Sequence, residues 1–155
     1  HVVVVDPDGA VAFALGEPEV VVWARSSLKP LQAVAMLRAG LEVDDDGLAL
    51  ACASHNGEPR HLEVVRSVLA SAGLGEADLQ NTPDLPLDPT ASLAWRADGG
   101  GPTSVTQNCS GKHAAMLVTC ALAGWPTAGY LAPDHPLQRA VRAGLEELTG
   151  TPVEH

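Results

Sequence analysis

The sequence predicts a mixed α/β (α+β) fold in which an antiparallel sheet packs with helices. Two observations support it: short β-rich runs occupy the N-terminal end, and segments with helical periodicity and recognisable helix ends fill the rest of the chain. Hydrophobic residues make up 46% of the 155 residues and aromatic residues only 3%, so the core must be built mainly from Ala, Val and Leu. A chain of this length suits a single domain.

The β-rich runs cover residues 2–5, 10–14 and 19–23. Segments containing proline, glycine and acidic residues separate these runs at 7–9 and 16–18, as is typical of tight turns. Because short strands joined by tight turns usually pair with their neighbours, we expect a three-stranded antiparallel meander.

The first helix is predicted to run from Ser27 to about Ala39. Ser27 is its predicted N-cap, Pro30 falls in the first turn, where a missing N–H costs little, and Gly40 ends the helix. The apolar face of this helix is expected to carry Leu28, Leu31, Val34, Ala35 and Leu37.

The rest of the chain is predicted to be mostly helical. An apolar run at 48–53 leads into a polar turn at 54–57, and a short strand is expected at 103–107. Asp134 is the predicted N-cap of the last helix, and Gly150 is its predicted stop. The predicted helices cover residues 58–72, 113–123 and 136–148, while the stretch at 81–103 is expected to be loop-like with room for one short helix around 89–96.

Charge and cysteine content narrow the class of function. The net charge is −10 and no cluster of Lys and Arg exists, so nucleic acids and anionic membranes are poor partners. No apolar run is long enough to cross a bilayer. The cysteines are odd in number and scattered, which favours free thiols or a metal ligand over a disulfide framework; they are Cys52, Cys109 and Cys120.

The ends of the chain predict a fragment. The sequence begins in a strand without an initiator Met and stops just after a helix, so we expect both ends to be truncated and residues 1–155 to form one partial domain.

The most informative pattern is the placement of the two lysines in a chain that has seven arginines. Lys29 follows Ser26 by three residues, and Lys112 follows Cys109 by the same spacing. On a helix this spacing brings the two side chains together, and a lysine, unlike an arginine, can lose its proton when it is desolvated. The first pair therefore suggests a nucleophilic serine with a lysine base, although a helix cap beside a solvated lysine is the ordinary alternative.

Two further segments carry candidate residues. Ser54 follows the apolar run and could supply a second hydroxyl to a site, or it could belong to an ordinary turn. Cys109 could be a nucleophile, a metal ligand or a packed small residue, and Gly111 suggests close backbone approach. His113 could be a base or a plain helix residue. We expect His61 and His135 at the surface, and Cys52 and Cys120 in the core.

Four segments together resemble the asparaginase II family of the rhizobial type. They match in order and spacing, and the resemblance runs across nearly the whole chain. The matching segments are residues 1–6 (HVVVVD), 25–32 (RSSLKPLQ), 53–58 (ASHNGE) and 108–113 (NCSGKH).

This resemblance implies a fold similar to serine β-lactamases and penicillin-binding proteins, of which this chain would be a part. It also implies hydrolysis of L-asparagine to L-aspartate and ammonia. Ser26 and Lys29 match the family's nucleophile and its activating base, and Ser54 matches a second serine that works with a lysine from the later half of the protein. Cys109 and Lys112 match two zinc ligands.

Further expectations rest on the same resemblance. The third zinc ligand, a cysteine, and the second lysine would lie beyond residue 155, so the chain covers about the first half of the family and could be inactive alone. Substrate contacts are expected from His55, Asn56 and Asn108. The whole protein is expected to be a cytoplasmic homodimer that binds a small molecule.

Two alternatives remain open from the sequence. One is a β-lactamase-like or transpeptidase-like acyl-serine enzyme, although the S-D-N and K-T-G elements typical of that class do not occur here. The other is an inactive, truncated domain that serves only in binding or assembly.

Overall fold

The computed structural model describes residues 1–153, and this part of the chain has the mixed α/β fold that the sequence predicts. It contains a two-stranded antiparallel sheet and six α-helices. The strands are β1 (Val2–Val5) and β2 (Val11–Leu15). The helices are α1 (Lys29–Arg38), α2 (Asp45–Cys52), α3 (Pro59–Ser71), α4 (Pro89–Ala97), α5 (Ser110–Leu122) and α6 (Pro136–Thr149). Single 3₁₀ turns lie at Arg25–Leu28 and Glu76–Asp78.

The predicted three-stranded meander is wrong, because only the first two runs form strands. β1 and β2 pair antiparallel, with Val2 opposite Leu15 and a shift in register between Val4 and Val5. Residues 19–23 are not assigned to a strand, and Trp23 is 92% exposed. Strand propensity largely measures how well a side chain fits a half-buried pleated surface, and no such surface covers this segment within residues 1–153. All residues of the two strands are themselves exposed.

Helix α5 is the centre of the helical layer. Ten of its residues are buried, and α1, α2 and α3 all pack against it, while α6 packs mainly on α1. The close approach expected at Gly111 is confirmed: a Cβ at this position would lie 2.7 Å from Leu50 Cγ and 2.8 Å from the Leu50 carbonyl oxygen. The absence of a side chain at Gly111 therefore lets the start of α5 meet the end of α2.

The start of α1 differs from the prediction. Ser27 is not its N-cap, because it lies in the preceding 3₁₀ turn and its hydroxyl donates to the Ala24 carbonyl. The buried residues of α1 include a stripe at positions i, i+4 and i+7, formed by Lys29, Ala33 and Met36, whereas Leu37 is 41% exposed. The buried face of α1 thus includes a lysine.

The later helices at 59–71, 89–97 and 136–149 confirm the predicted ones to within two residues. The predicted strand at 103–107 is wrong: Thr103 makes one isolated bridge, to Asp84, and its hydroxyl bonds that of Thr106 at 2.7 Å. These contacts form a turn, and α5 begins at Ser110, three residues earlier than predicted.

The ends of α6 give one confirmation and two corrections. Gly150 ends the helix in the left-handed region, with φ at 65°. Asp134 is not the N-cap, because His135 takes this place and accepts the Leu137 N–H at 3.1 Å. The expected surface position of His135 is also wrong, since this side chain is buried and its Nε2 bonds the Pro126 carbonyl.

Candidate active site

A cavity of about 270 Å³ lies where the start of α1 meets the start of α5. Both predicted pairs line it, the serine–lysine pair of the first segment and the cysteine–lysine pair of the second. The lining residues are Arg25, Ser26, Lys29, Gln32, Cys109 and Lys112. Two segments about eighty positions apart in sequence therefore form one site.

Lys29 is 2% exposed and anchors this site. Its Nζ donates to the Ala53 carbonyl at 2.6 Å and to the Ser54 hydroxyl at 2.9 Å. Ala53 is the C-cap of α2, where helix carbonyls lack partners within the helix and attract a hydrogen-bond donor. Because Lys29 lies on the buried face of α1, its amine reaches the end of α2 rather than solvent.

Ser54 lies between the two members of the predicted pair. Its Oγ is 3.4 Å from Ser26 Oγ, while the Lys29 amine is on its other side. Within residues 1–153 the structure gives no direct hydrogen bond between the Ser26 hydroxyl and the Lys29 amine. The connection runs in the order Ser26, Ser54, Lys29, because Ser26 is exposed on the 3₁₀ turn whereas Lys29 points into the protein.

Arg25 and Gln32 line the cavity but were not among the predicted site residues. Arg25 has φ at +49°, a left-handed conformation that is uncommon for a residue with a side chain. The sequence patterns that indicated the site depend on lysine, which can lose its proton, and therefore did not indicate Arg25. Gln32 follows Lys29 by three residues, and the same helical spacing would have indicated it.

Cys109 is held at the N-terminal end of α5 by neighbouring amide side chains. Gln107 Oε1 accepts the Cys109 N–H at 2.9 Å and an Asn81 Nδ2 hydrogen at 3.1 Å. The other end of the Gln107 amide donates to Asn108 Oδ1, which also accepts the Cys109 thiol, in both cases at 3.1 Å. The carbonyl oxygen of the Asn108 side chain is therefore already engaged within the protein.

Lys112 and His113 have separate surroundings although they are adjacent. Burial lowers the pKa of Lys112, with a smaller opposing effect of Cys109. His113 is absent from the cavity lining: its Nδ1 lies 2.9 Å from the hydroxyl of Tyr130, a fully buried side chain. Burial, and next the charge of Lys112, lower the pKa of His113 to about 3.

His55 and Asn56 extend the site on the side of Ser54. His55 is buried, and its N–H donates to the Asn108 carbonyl at 3.0 Å, so this turn is tied to the segment before α5. Asn56 is exposed. A second, larger cavity of about 570 Å³ touches Ser54, His55 and Asn56 but not Ser26 or Lys29.

Several predicted positions lie outside the cavity. Cys120 is fully buried in the core, as expected, and Cys52 is half-buried against it. His61 was expected at the surface, but its side chain is half-buried and its Nδ1 accepts the Glu58 N–H. In the described part of the chain, no three or more His, Cys, Asp or Glu residues gather in a group able to hold a metal ion. No helix within residues 1–153 is long and apolar enough to span a membrane.

The geometry defines a mixed α/β protein whose cavity gathers hydroxyl, amine and thiol groups from two segments. The family model described as L-asparaginase II matches residues 1–155, the whole chain. This chain belongs to the L-asparaginase II family, which indicates an amidohydrolase acting on a small-molecule amide. A search of curated proteins found none similar enough for comparison.

Acidification is expected to destabilise the fold through His55. Burial, followed by the charges of His61 and Lys29, lowers the pKa of His55 from 6.5 to about 4. Between pH 6.5 and about pH 4, His55 binds a proton more readily in the unfolded chain than in the folded protein. The free energy of unfolding should therefore decrease as the pH is lowered, and His55 contributes a slope of at most about 1.4 kcal/mol per pH unit. Urea unfolding from about pH 7 to about pH 5 measures the slope. His55→Asn should reduce it, and an equal slope in both proteins would contradict this assignment.

Proposed function

We propose that this chain supplies the nucleophile for hydrolysis of L-asparagine to L-aspartate and ammonia, with Ser26 in that role. The observation that supports this best is the hydrogen-bonded series from Ser26 through Ser54 to the buried amine of Lys29. A hydroxyl needs a neighbouring base to become a nucleophile, and this series ends at one.

The proton path follows from the positions of these groups. With the Lys29 amine neutral, the Ser54 hydroxyl donates to it and accepts the Ser26 proton, since hydroxyl hydrogens can rotate to reverse the direction of the series. Ser26 Oγ then forms a bond to the side-chain amide carbon of the substrate. The proton passes from Lys29 to the leaving nitrogen, the C–N bond breaks, and ammonia departs. Water subsequently hydrolyses the acyl-serine ester by the same proton path.

Charge in the cavity supports an anionic substrate. The chain as a whole has a net charge of −10, yet Arg25 lines the cavity and no lining residue is acidic, so a positive charge remains there even with the Lys29 and Lys112 amines neutral. A basic pocket in an acidic protein attracts a carboxylate such as the one that L-asparagine carries.

Asn56 and Asn108 are proposed substrate contacts. Asn56 is exposed beside Ser54. The Oδ1 atom of Asn108 already accepts two hydrogen bonds, so its amide nitrogen is the group left to donate to a substrate oxygen.

We also propose zinc as a cofactor, with Cys109 and Lys112 among its ligands. The residues present fit in part: a thiol and an amine line the same cavity, and the lowered pKa of Lys112 favours the neutral amine that a metal requires. When bound, zinc would act as a Lewis acid toward the substrate. The further cysteine expected from the family resemblance would complete the ligand set.

Replacing Ser26 by alanine should abolish asparagine hydrolysis. Removing one Oγ atom from an exposed position leaves packing intact, so the thermal midpoint should stay within about 2 °C while ammonia release falls at least about 1,000-fold. Ammonia release by the purified protein at saturating L-asparagine measures this.

Ser27→Ala is the matched control for this variant. Ser27 is the adjacent serine, and its hydroxyl bonds the Ala24 carbonyl rather than a site residue. The control should keep its activity. Full activity in Ser26→Ala would end the proposal that Ser26 is the nucleophile.

Cys109→Ala is expected to lower the zinc content of the purified protein by more than half, since a structural or catalytic zinc site depends on each of its few ligands. Elemental analysis by mass spectrometry gives zinc per chain. Cys52→Ala is the control, because Cys52 is also half-buried but does not line the cavity. Equal zinc content in the two variants and the parent counts against the zinc proposal.

A further inference from the structure

His55 has a position in the site that differs from a substrate contact. Its side chain is 4% exposed, and both ring nitrogens face groups of the protein. Nδ1 accepts the Gly57 N–H at 3.0 Å, and Nε2 lies 2.8 Å from the hydroxyl of Ser110, the first residue of α5. No ring nitrogen is left to meet a substrate.

The partners of the ring determine where its proton lies. A backbone N–H can only donate, so Nδ1 must carry a lone pair toward Gly57. The Ser110 hydroxyl donates its own hydrogen to the Val105 carbonyl at 2.7 Å, and therefore it must accept from His55. Nε2 thus carries the hydrogen. A second proton, on Nδ1, would point the Nδ1–H directly at the Gly57 N–H, and the two groups would repel each other.

These contacts connect the two sides of the site. The residue before His55 is Ser54, which links Ser26 to Lys29, while the residue before Ser110 is Cys109. The backbone adds a second link, because the His55 N–H donates to the Asn108 carbonyl at 3.0 Å.

The turn that follows His55 has little freedom to shift. Gly57 has φ at +79°, and a Cβ there would lie 2.7 Å from Pro86 Cβ and 3.3 Å from the Thr106 carbonyl. The backbone N–H that faces Nδ1 is therefore fixed, and movement of the ring would have to move Ser54.

We propose that His55 is a positioning residue which, as a neutral imidazole protonated on Nε2, fixes Ser54 relative to the N-terminal end of α5. The inference rests on the proposed role of Ser54 in proton transfer. It assigns to His55 the alignment of the series Ser26, Ser54 and Lys29, and it replaces the substrate contact expected from the family resemblance.

The charged surroundings are consistent with a neutral ring. Among residues 1–153, the titratable groups that face His55 are the His61 ring of α3, with 5.5 Å between ring centroids, and the Lys29 amine of α1. α5 contributes only the neutral Ser110 hydroxyl. Positive charge on either neighbour opposes a positive charge on the buried ring.

Two variants separate the two contacts of the ring. A glutamine side chain can place an N–H donor near the position of Nε2, whereas an asparagine side chain can place an acceptor near the position of Nδ1. His55→Asn should lower kcat for L-asparagine about 100-fold with KM changed by less than about 3-fold, because a small misplacement of reacting groups is enough for such a loss. His55→Gln should recover most of kcat. His61→Gln, a change in the neighbouring ring, should keep the parent value.

A double substitution tests whether the Ser110 contact carries the effect. If His55 acts through Ser110, His55→Asn combined with Ser110→Ala should lose no more activity than the more damaging single variant. Additive losses would overturn the proposal, as would equal kcat in His55→Asn and His55→Gln. Thermal unfolding midpoints measured for all variants check that each one folds.

Imidazole ¹⁵N chemical shifts at neutral pH provide a readout that needs no activity. The proposal requires the Nε2–H tautomer of His55, and either the Nδ1–H tautomer or the doubly protonated ring overturns it. If the parent protein does not hydrolyse L-asparagine, the proposed function fails, while the tautomer still decides the inference about His55.

Discussion

The buried amine of Lys29 is the interaction on which the site depends. It connects the start of α1 to the end of α2 through the Ala53 carbonyl and the Ser54 hydroxyl. The ion pairs found within residues 1–153 are exposed at the surface and none involves Lys29, so hydrogen bonds alone offset the cost of burying this amine. The hydrogen bond from this amine holds Ser54 between Lys29 and the turn that carries Ser26.

The sequence predicts most of the helices but not α2, and it predicts the sheet poorly, for a physical reason. Helix ends are set by local groups, such as Pro136 in a first turn or Gly150 with its left-handed backbone. A strand requires a partner at a distance in sequence, and residues 19–23 have strand propensity without a paired neighbour among residues 1–153. The similarity to serine β-lactamases stays a prediction, since it concerns strands beyond this hairpin.

In the site, too, the features set by neighbouring residues could be predicted from the sequence, whereas those set by tertiary packing could not. The three-residue spacing predicted direct contact between Ser26 and Lys29; both line one cavity, as Cys109 and Lys112 do, but Ser54 bridges the first two. It could not show that Ser54 stands between the first two, because that depends on how α1 crosses α2. The role of His55 was equally hidden, since its partners Gly57 and Ser110 are fixed by tertiary packing.

The central claim is that the Lys29 amine activates Ser26, and trapping of the acyl-enzyme tests it most directly. Peptide mass mapping after acid quench of a reaction with L-asparagine should find an aspartyl adduct on Ser26 in the parent protein. In Lys29→Met, which keeps the length of the side chain without its amine, the adduct should be absent while the fold is retained. An undiminished adduct on Ser26 in this variant would contradict the account.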